Sequence, residues 1–438
     1  MDKISNSNRV SLLRNNWLAC LVVIAAIPVV VHLTNDYRSG SEFGWDVRVN
    51  CAAVEAHANG LNPYYVKNLK DTNLSYPYLP VTLDAFRPLC VDGFLTRHYR
   101  GIYLAVAALS VLLLCSFGIS RRSLGDVCLK ALCVFGGFAG FEWALVTGNF
   151  AAISGLLTAL ALSLFLSGLS AQEKNSGNEA PFAPYAAGAA VFGLLISLKV
   201  IFLPLLLSFY FLPLSRRRKI ILMVVAAVCF AAPGLISLLF YHDLFFSWID
   251  AITGQIPGQH SPALEGCNPS LLCLGQAVSE NSGLVHQKLV GTLFYGFAAT
   301  LLVIGPLAGS LVRLVRNERM SDDRSFLQRL DRLLIERPRL AMRVAVLSMF
   351  ALYLCAPRLK EYAYFELAIY AAALIVDLPA TAIAAVLAGT VVAPILAMQT
   401  HNPFVSTYGQ TAAALFCFWI VLSDLDPSVF GLRESKKP

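Results

Sequence analysis

Charge is what this sequence has least of. Asp, Glu, Lys and Arg make up 14% of its residues, against 57% hydrophobic residues and a mean hydropathy of +0.64. A soluble domain must cover much of its surface with polar groups, so a soluble globule is excluded and an all-α polytopic membrane protein is expected. The first apolar segment, Trp17 to Leu33, lacks a small-residue cleavage pattern after it and reads as a retained helix rather than a cleaved signal peptide. A basic patch interleaved with aromatics is also missing, which sets nucleic acid aside as a partner. Asp46, Glu55, His242, Asp243 and His260 are acids and imidazoles of the polar loops, but none falls at a diagnostic ligand spacing, so no metal and no cofactor is expected. Most of the 11 Cys lie inside apolar runs, where Cys behaves as a small hydrophobe. Cys267 with Cys273, and Cys51 with Cys90, lie in polar intervals and are disulfide candidates if those loops face an oxidising compartment.

What is abundant is apolar segments of roughly 17–22 residues, each long enough to span about 30 Å of hydrocarbon. They read as about twelve membrane helices in a single domain over 1–438, at 17–34, 100–118, 127–146, 150–170, 185–199, 200–214, 219–240, 290–312, 342–356, 362–376, 379–398 and 408–423. Lys199 and Pro204 interrupt the stretch from 185 to 214, which leaves two readings open, a pair of short spans or one broken helix. About two-thirds of the 34 Lys and Arg fall in alternate loops that share a side with the N-terminus, which by the positive-inside rule makes both termini cytoplasmic. The polar intervals 35–99 and 241–289 and the short turn from Cys355 to Tyr362 then face outward. On the inner side, 313–341 mixes charges of both signs with Leu at helical spacing, as an amphipathic helix lying on the membrane surface would.

The first outer interval holds the chemistry. Asp46, in GWDVRV, stands just past the first membrane helix. A helical VNCAAVEAHANGL follows and ends at Gly60, a fitting residue for a helix C-terminus, and then come LNPYY and SYPYLP, rich in Pro and Tyr. Tyr at a membrane boundary ordinarily serves as an interfacial anchor. Here, however, Asp46, Gly60, Asn62, Pro63, Tyr64, Tyr76, Tyr78, Pro80 and Pro88 in this order resemble the first extracytoplasmic loop of the GT-C glycosyltransferases, in particular family 87 with its polyprenyl-phosphate-mannose-dependent mannosyltransferases. Shorter echoes of that family follow in TGNFAAISG (Gly148, Asn149), SLKVIFLP (Lys199, Pro204), NPSLLCL (Asn268, Ser270, Leu271) and APRLKEYAYFEL (Pro357, Arg358, Tyr362). The late loop departs from the family, which tends to carry His where this chain reads Pro357-Arg358-Leu359-Lys360-Glu361-Tyr362.

The resemblance implies a GT-C-type bundle with interfacial helices in its first outer loop, acting on the periplasmic face of a bacterial inner membrane. It implies inverting transfer of a sugar, mannose or a pentofuranose such as arabinofuranose, from a polyprenyl-phosphate donor. The acceptor would be a hydroxyl of a glycan, a glycolipid or an exported protein, and membrane lipids complete the partners. Asp46 is then the general base, a role that suits a carboxyl at a partly desolvated membrane boundary. The departing lipid phosphate needs no general acid but does need cations. Lys199, Arg358, Lys360, Lys288, His260 and Arg48 or Arg87 face outward; Arg358 and Lys199 lead, with Lys360 and His260 beside them. Snorkelling to the headgroup zone is the ordinary role of such residues, but Arg also grips phosphate with two parallel hydrogen bonds. Tyr64, Tyr76, Tyr78, Asn149, Asn268 and Tyr362 are the substrate-binding candidates, whereas Glu55 and His57 read as the wet face of a helix. The competing class is a transporter or flippase of a lipid-linked sugar, favoured by Pro204, Pro233, Pro394 and Lys199 within apolar segments. The sequence shows no inverted repeat, and its intramembrane carboxylates are nearly confined to Glu142 and Glu366, which favours surface chemistry. A purely structural assembly protein would need no Asp–Tyr–Pro pattern.

Overall fold

The apolar segments fold as helices, and the computed structural model describes residues 16–38, 43–116, 124–174, 181–256, 268–281, 286–317, 325–400 and 402–426. Among the described residues there is no strand. A helix satisfies its backbone polar groups within itself, as a hydrocarbon environment requires. The chain begins with α1 (Asn16–Arg38), and the polar segment after it is built by α2 (Trp45–Ala58) and α3 (Val81–Cys90). A 3₁₀ turn leads into α4 (Phe94–Ser116), and α5 (Leu124–Gly136), α6 (Gly140–Thr147) and α7 (Ala151–Lys174) follow. Next come α8 (Phe182–Leu198), a 3₁₀ limb Val200–Phe211, α9 (Arg216–Phe240), α10 (His242–Ile252), α11 (Leu271–Asn281) and α12 (Gln287–Ala299). A π turn joins α12 to α13 (Gly305–Asn317), and the chain closes with α14 (Phe326–Glu336), α15 (Pro338–Leu354), α16 (Tyr364–Leu374), α17 (Ala380–Leu387), α18 (Ala393–Met398) and α19 (Pro403–Leu425).

Among the described residues 8 helical stretches are long and apolar enough to cross a membrane, so this is a multi-pass membrane protein. That is fewer than the expected twelve or so. The segments at 342–356 and 362–376 fall on α15 and α16, of 17 and 11 residues, whose side chains are apolar and buried on nearly every side. Protein rather than lipid covers them, so neither needs the length of a lipid-facing span. The segments at 185–199 and 200–214 are also short. Lys199 is extended (φ −142°, ψ 100°) and ends α8. Beyond it the 3₁₀ limb turns back, because the rings of Phe192 and Phe209 lie 5.6 Å apart, whereas a straight continuation would separate them by roughly 30 Å. The stretch is a hairpin with Lys199 at its bend.

Lipid tails are as apolar as Leu, so close contact rather than water exclusion must hold membrane helices together. Gly140 on α6 lies against the backbone of Phe365, where a Cβ would stand 2.2 Å from the Phe365 nitrogen. That contact sets the beginning of α16, and with it the turn from Cys355 to Tyr362, beside the α6–α7 junction. At the opposite end of α15 the charges gather. Arg339 pairs with Glu173, Arg343 with Asp424 and Arg313 with Asp426. There α14 lays Leu330, Leu333 and Leu334 against Val315 and Ala341, and Lys219 reaches Asp331 at 2.9 Å. The arginine-rich end and the polar segment of α2 and α3 thus occupy opposite ends of the bundle.

Candidate active site

Two glycines place Asp46. Gly44, in the left-handed region (φ 81°), starts α2 and leaves Asp46 in its first turn. The Gly44 N–H donates to the Val146 carbonyl at 2.8 Å, docking α2 on the end of α6. Gly148 (φ 68°) ends α6, and a Cβ there would lie 2.8 Å from Val47 Cγ2 and 3.0 Å from Gly44 Cα. The Tyr103 hydroxyl donates to the Gly148 carbonyl at 2.9 Å and fixes the same turn from α4. This approach sets Asn149 against Asp46. Its Nδ2 donates to Asp46 Oδ2 at 2.5 Å, while its Oδ1 accepts from the Ala151 N–H at 2.8 Å at the start of α7. With its oxygen occupied by α7, the amide can only present N–H to the carboxylate. Burial pushes the Asp46 carboxyl above its ordinary value, and the Asn149 bond and the charges of Lys360 and Lys199 pull it part of the way back.

Cations and aromatic rings form the facing wall. Lys199 and Lys360 lie over the Tyr362 ring at 5.5 and 6.0 Å. The hydroxyls of Tyr78, Tyr103 and Tyr362 are within electrostatic reach of Asp46, and that of Tyr362 within reach of Arg358 as well. Lys199 Nζ donates to Ser154 Oγ at 3.2 Å and to Glu366 Oε1 at 3.3 Å. The half-buried ring of Tyr78 packs on Phe86 and Phe150, closing the site on the α3 and α7 sides. A carboxylate with a fixed hydrogen-bond donor, a raised pKa and several cations opposite it can accept a proton beside a bound anion.

Two solved structures are similar to this chain. The archaeal oligosaccharyltransferase AglB from Archaeoglobus fulgidus, in complex with an inhibitory peptide and a dolichol-phosphate, is 15% identical over 95% of this chain and 56% of that chain, with a TM-score of 0.42. ArnT from Cupriavidus metallidurans, bound to undecaprenyl phosphate, is 15% identical over 94% of this chain and 77% of that chain, with a TM-score of 0.38. The chain thus spans just over half the length of the first. No protein-family model and no curated protein matches the sequence.

The structure brings together Asp46, Tyr78, Asn149, Lys199, Lys360 and Tyr362, with exposed Arg358 at the rim. Tyr64 and Tyr76 are fully buried: Tyr64 donates to the Tyr78 carbonyl at 2.7 Å, and Tyr76 bonds Thr82 at 2.5 Å, so both hydroxyls shape the loop beneath Tyr78. Asn268 precedes Pro269, whose carbonyl accepts from Tyr364 and Thr411, so the chain at Asn268 is fastened next to α16. His260 and Cys267 lie outside the described residues, and Cys273 is a buried free thiol. Cys51 and Cys90 form a disulfide that ties α2 to α3. Arg48, Arg87 and Glu55 line an open groove above this bridge, on the side of α2 turned away from Asp46. His57 lies near the Tyr241 ring, His242 pairs with Asp243, and Lys288 is exposed at the start of α12. Tyr103, Ser154 and Gly44 also belong to this cluster, Tyr103 and Ser154 without any sequence motif that marks them, and Glu366 is marked by sequence only as an intramembrane carboxylate. The Gly-Trp-Asp and Thr-Gly-Asn strings were the available signal, since each puts a glycine one or two residues from a polar side chain.

Proposed function

We propose that this protein is a GT-C-type inverting glycosyltransferase that moves a sugar from a polyprenyl-phosphate donor to an acceptor hydroxyl at the outer membrane face. The observation that carries the reading is the Asp46 carboxylate, oriented by Asn149 and facing Lys199, Lys360 and Tyr362. The acceptor oxygen attacks the anomeric carbon from the side opposite the phosphate and its proton passes to Asp46. The bond from the anomeric carbon to the phosphate oxygen breaks, and its electron pair leaves with the polyprenyl phosphate. Lys199, Lys360 and Arg358 hold that phosphate and the charge that grows on it. Mannose or a pentofuranose such as arabinofuranose is the transferred sugar, and the acceptor is a glycan, glycolipid or exported protein. A disulfide in the segment that carries Asp46 supports an oxidising side for the site, such as the periplasm of a bacterial cell, with both termini in the cytoplasm.

The test is transfer in detergent, where no second compartment exists. Purified protein is incubated with a panel of polyprenyl-phosphate sugars and acceptors, and released polyprenyl phosphate is measured. Turnover that vanishes in Asp46→Asn supports the transferase. Donor binding by the wild type without turnover across the panel overturns it in favour of a carrier.

A further inference from the structure

Glu366 takes no part in the transfer as described above, yet it is fully buried in the first turn of α16, close to the site. A carboxylate enclosed in a membrane bundle is costly to keep and points to function through its partner. Its Oε1 accepts from Ser154 Oγ and from Lys199 Nζ, and Lys199 Nζ also donates to the same Ser154 oxygen. Three elements meet in this contact, α16, α7 and the bend between α8 and the 3₁₀ limb.

The consequence falls on Lys199. A lysine at the end of a membrane segment ordinarily extends its four-carbon stem towards the headgroups, where its charge is solvated. Here the side chain is turned inward and only 14% exposed. An ammonium carries three protons. Glu366 and Ser154 take two of them, and the Tyr362 ring lies 5.5 Å from the nitrogen, with Lys360 above the same ring. We propose that Glu366, acting with Ser154, is a positioning residue that draws the Lys199 side chain out of the headgroup zone and holds it towards the donor phosphate. Lipid-phosphate binding then depends on a carboxylate that never touches the lipid. This inference rests on the transferase reading, in which Lys199 meets that phosphate.

Undecaprenyl phosphate is the probe, titrated against the full-length protein in detergent, alongside KM for donor and for acceptor. Glu366→Gln keeps the volume and one oxygen but removes the charge. Its Kd for undecaprenyl phosphate and its donor KM rise about tenfold, the size of one strongly coupled pair, while the acceptor KM stays as in the wild type. Lys199→Met gives the same loss, and Lys199→Met/Glu366→Gln is no weaker than Lys199→Met alone, because the two act through one contact. Ser154→Ala, which buries no uncompensated charge, gives a smaller loss of the same kind and serves if Glu366→Gln fails to fold. A purely structural role lowers thermal stability but leaves Kd and both KM values in place, and that result overturns the proposal. So do independent effects that multiply in the double variant. If the wild type binds no polyprenyl phosphate at all, the transferase reading and this inference fall together. If it binds and transfers while Glu366→Gln and Ser154→Ala bind as the wild type does, the inference alone fails.

Discussion

Asp46 combines two properties at one residue, a raised pKa and a fixed hydrogen-bond donor. A carboxyl whose folded pKa exceeds its unfolded value favours the fold only at pH below the unfolded value, and that contribution disappears as pH rises through the folded one. At neutral pH the ionised Asp46 therefore works against stability. Asp46→Asn is expected to keep a Tm at pH 7 no lower than that of the wild type while transfer falls roughly 10²–10⁴-fold, the usual worth of a general base. Retention of more than about a tenth of the wild-type rate would remove Asp46 from that role. If Asp46 is the base, the acid limb of kcat/KM is expected to lie above the ordinary aspartate range, and Asn149→Ala is expected to shift it further up, because the lost bond stabilises the ionised form. A pH profile of the two proteins checks this, and a downward shift contradicts it. At the rim, Arg358→Lys keeps the charge but loses the planar fork, so donor KM and kcat suffer less than in Arg358→Ala. Equal effects of the two substitutions would argue against phosphate recognition there.

Single elements decide whether those side chains meet. The α6–α7 turn exists because Gly148 adopts a positive φ and leaves room for Val47 and Gly44. Gly148→Ala costs about 1–2 kcal/mol for the left-handed backbone alone, and the displaced Val47 pushes the start of α2 away from Asn149. Transfer should be lost, with a Tm several degrees lower; full activity in this variant would mean that Asp46 does not depend on the turn. The Cys51–Cys90 bridge, 39 residues apart in sequence, does the same for α2 and α3. Its removal in Cys51→Ser/Cys90→Ser is expected to cost about 2–4 kcal/mol of order in the segment of α2 and α3. Hydrogen exchange over 45–90 checks this as faster exchange, with 326–354 unchanged; uniform exchange across both regions would show that the bridge holds nothing locally.

For the whole molecule the governing fact is the separation of charge along the bundle. Arg313, Arg339 and Arg343 form their ion pairs at the end opposite the turn that carries Lys360 and Tyr362. By the positive-inside rule this end is proposed to face the cytoplasm. With the Cys51–Cys90 bridge retained, single Cys at 65, 67 or 70 is expected to react with an impermeant thiol reagent from outside. Cys at 216, 217 or 327 is expected to react only after the membrane is opened. Outside labelling at 327 would reverse the orientation and move the site to the cytoplasm.

Composition and charge order are sums over near neighbours, and they are what the sequence by itself determined. The membrane class, the helical character of the apolar segments and the polar interval around Asp46 follow from hydropathy that any short window reports. Pairings between distant residues are different. Asp46 and Asn149 are 103 positions apart, Lys199 and Glu366 167, and Ser154 and Glu366 212, and no periodicity extends across such distances. Only the tertiary structure decided that Cys51 bonds Cys90, that the chain doubles back at Lys199, and that Tyr64 and Tyr76 lie beneath the loop rather than at its surface. The reason is steric. Gly140 and Gly148 let backbones approach where any side chain would collide, Gly44 admits the Tyr99 ring, and which groups approach depends on helices that the intervening sequence must first have placed.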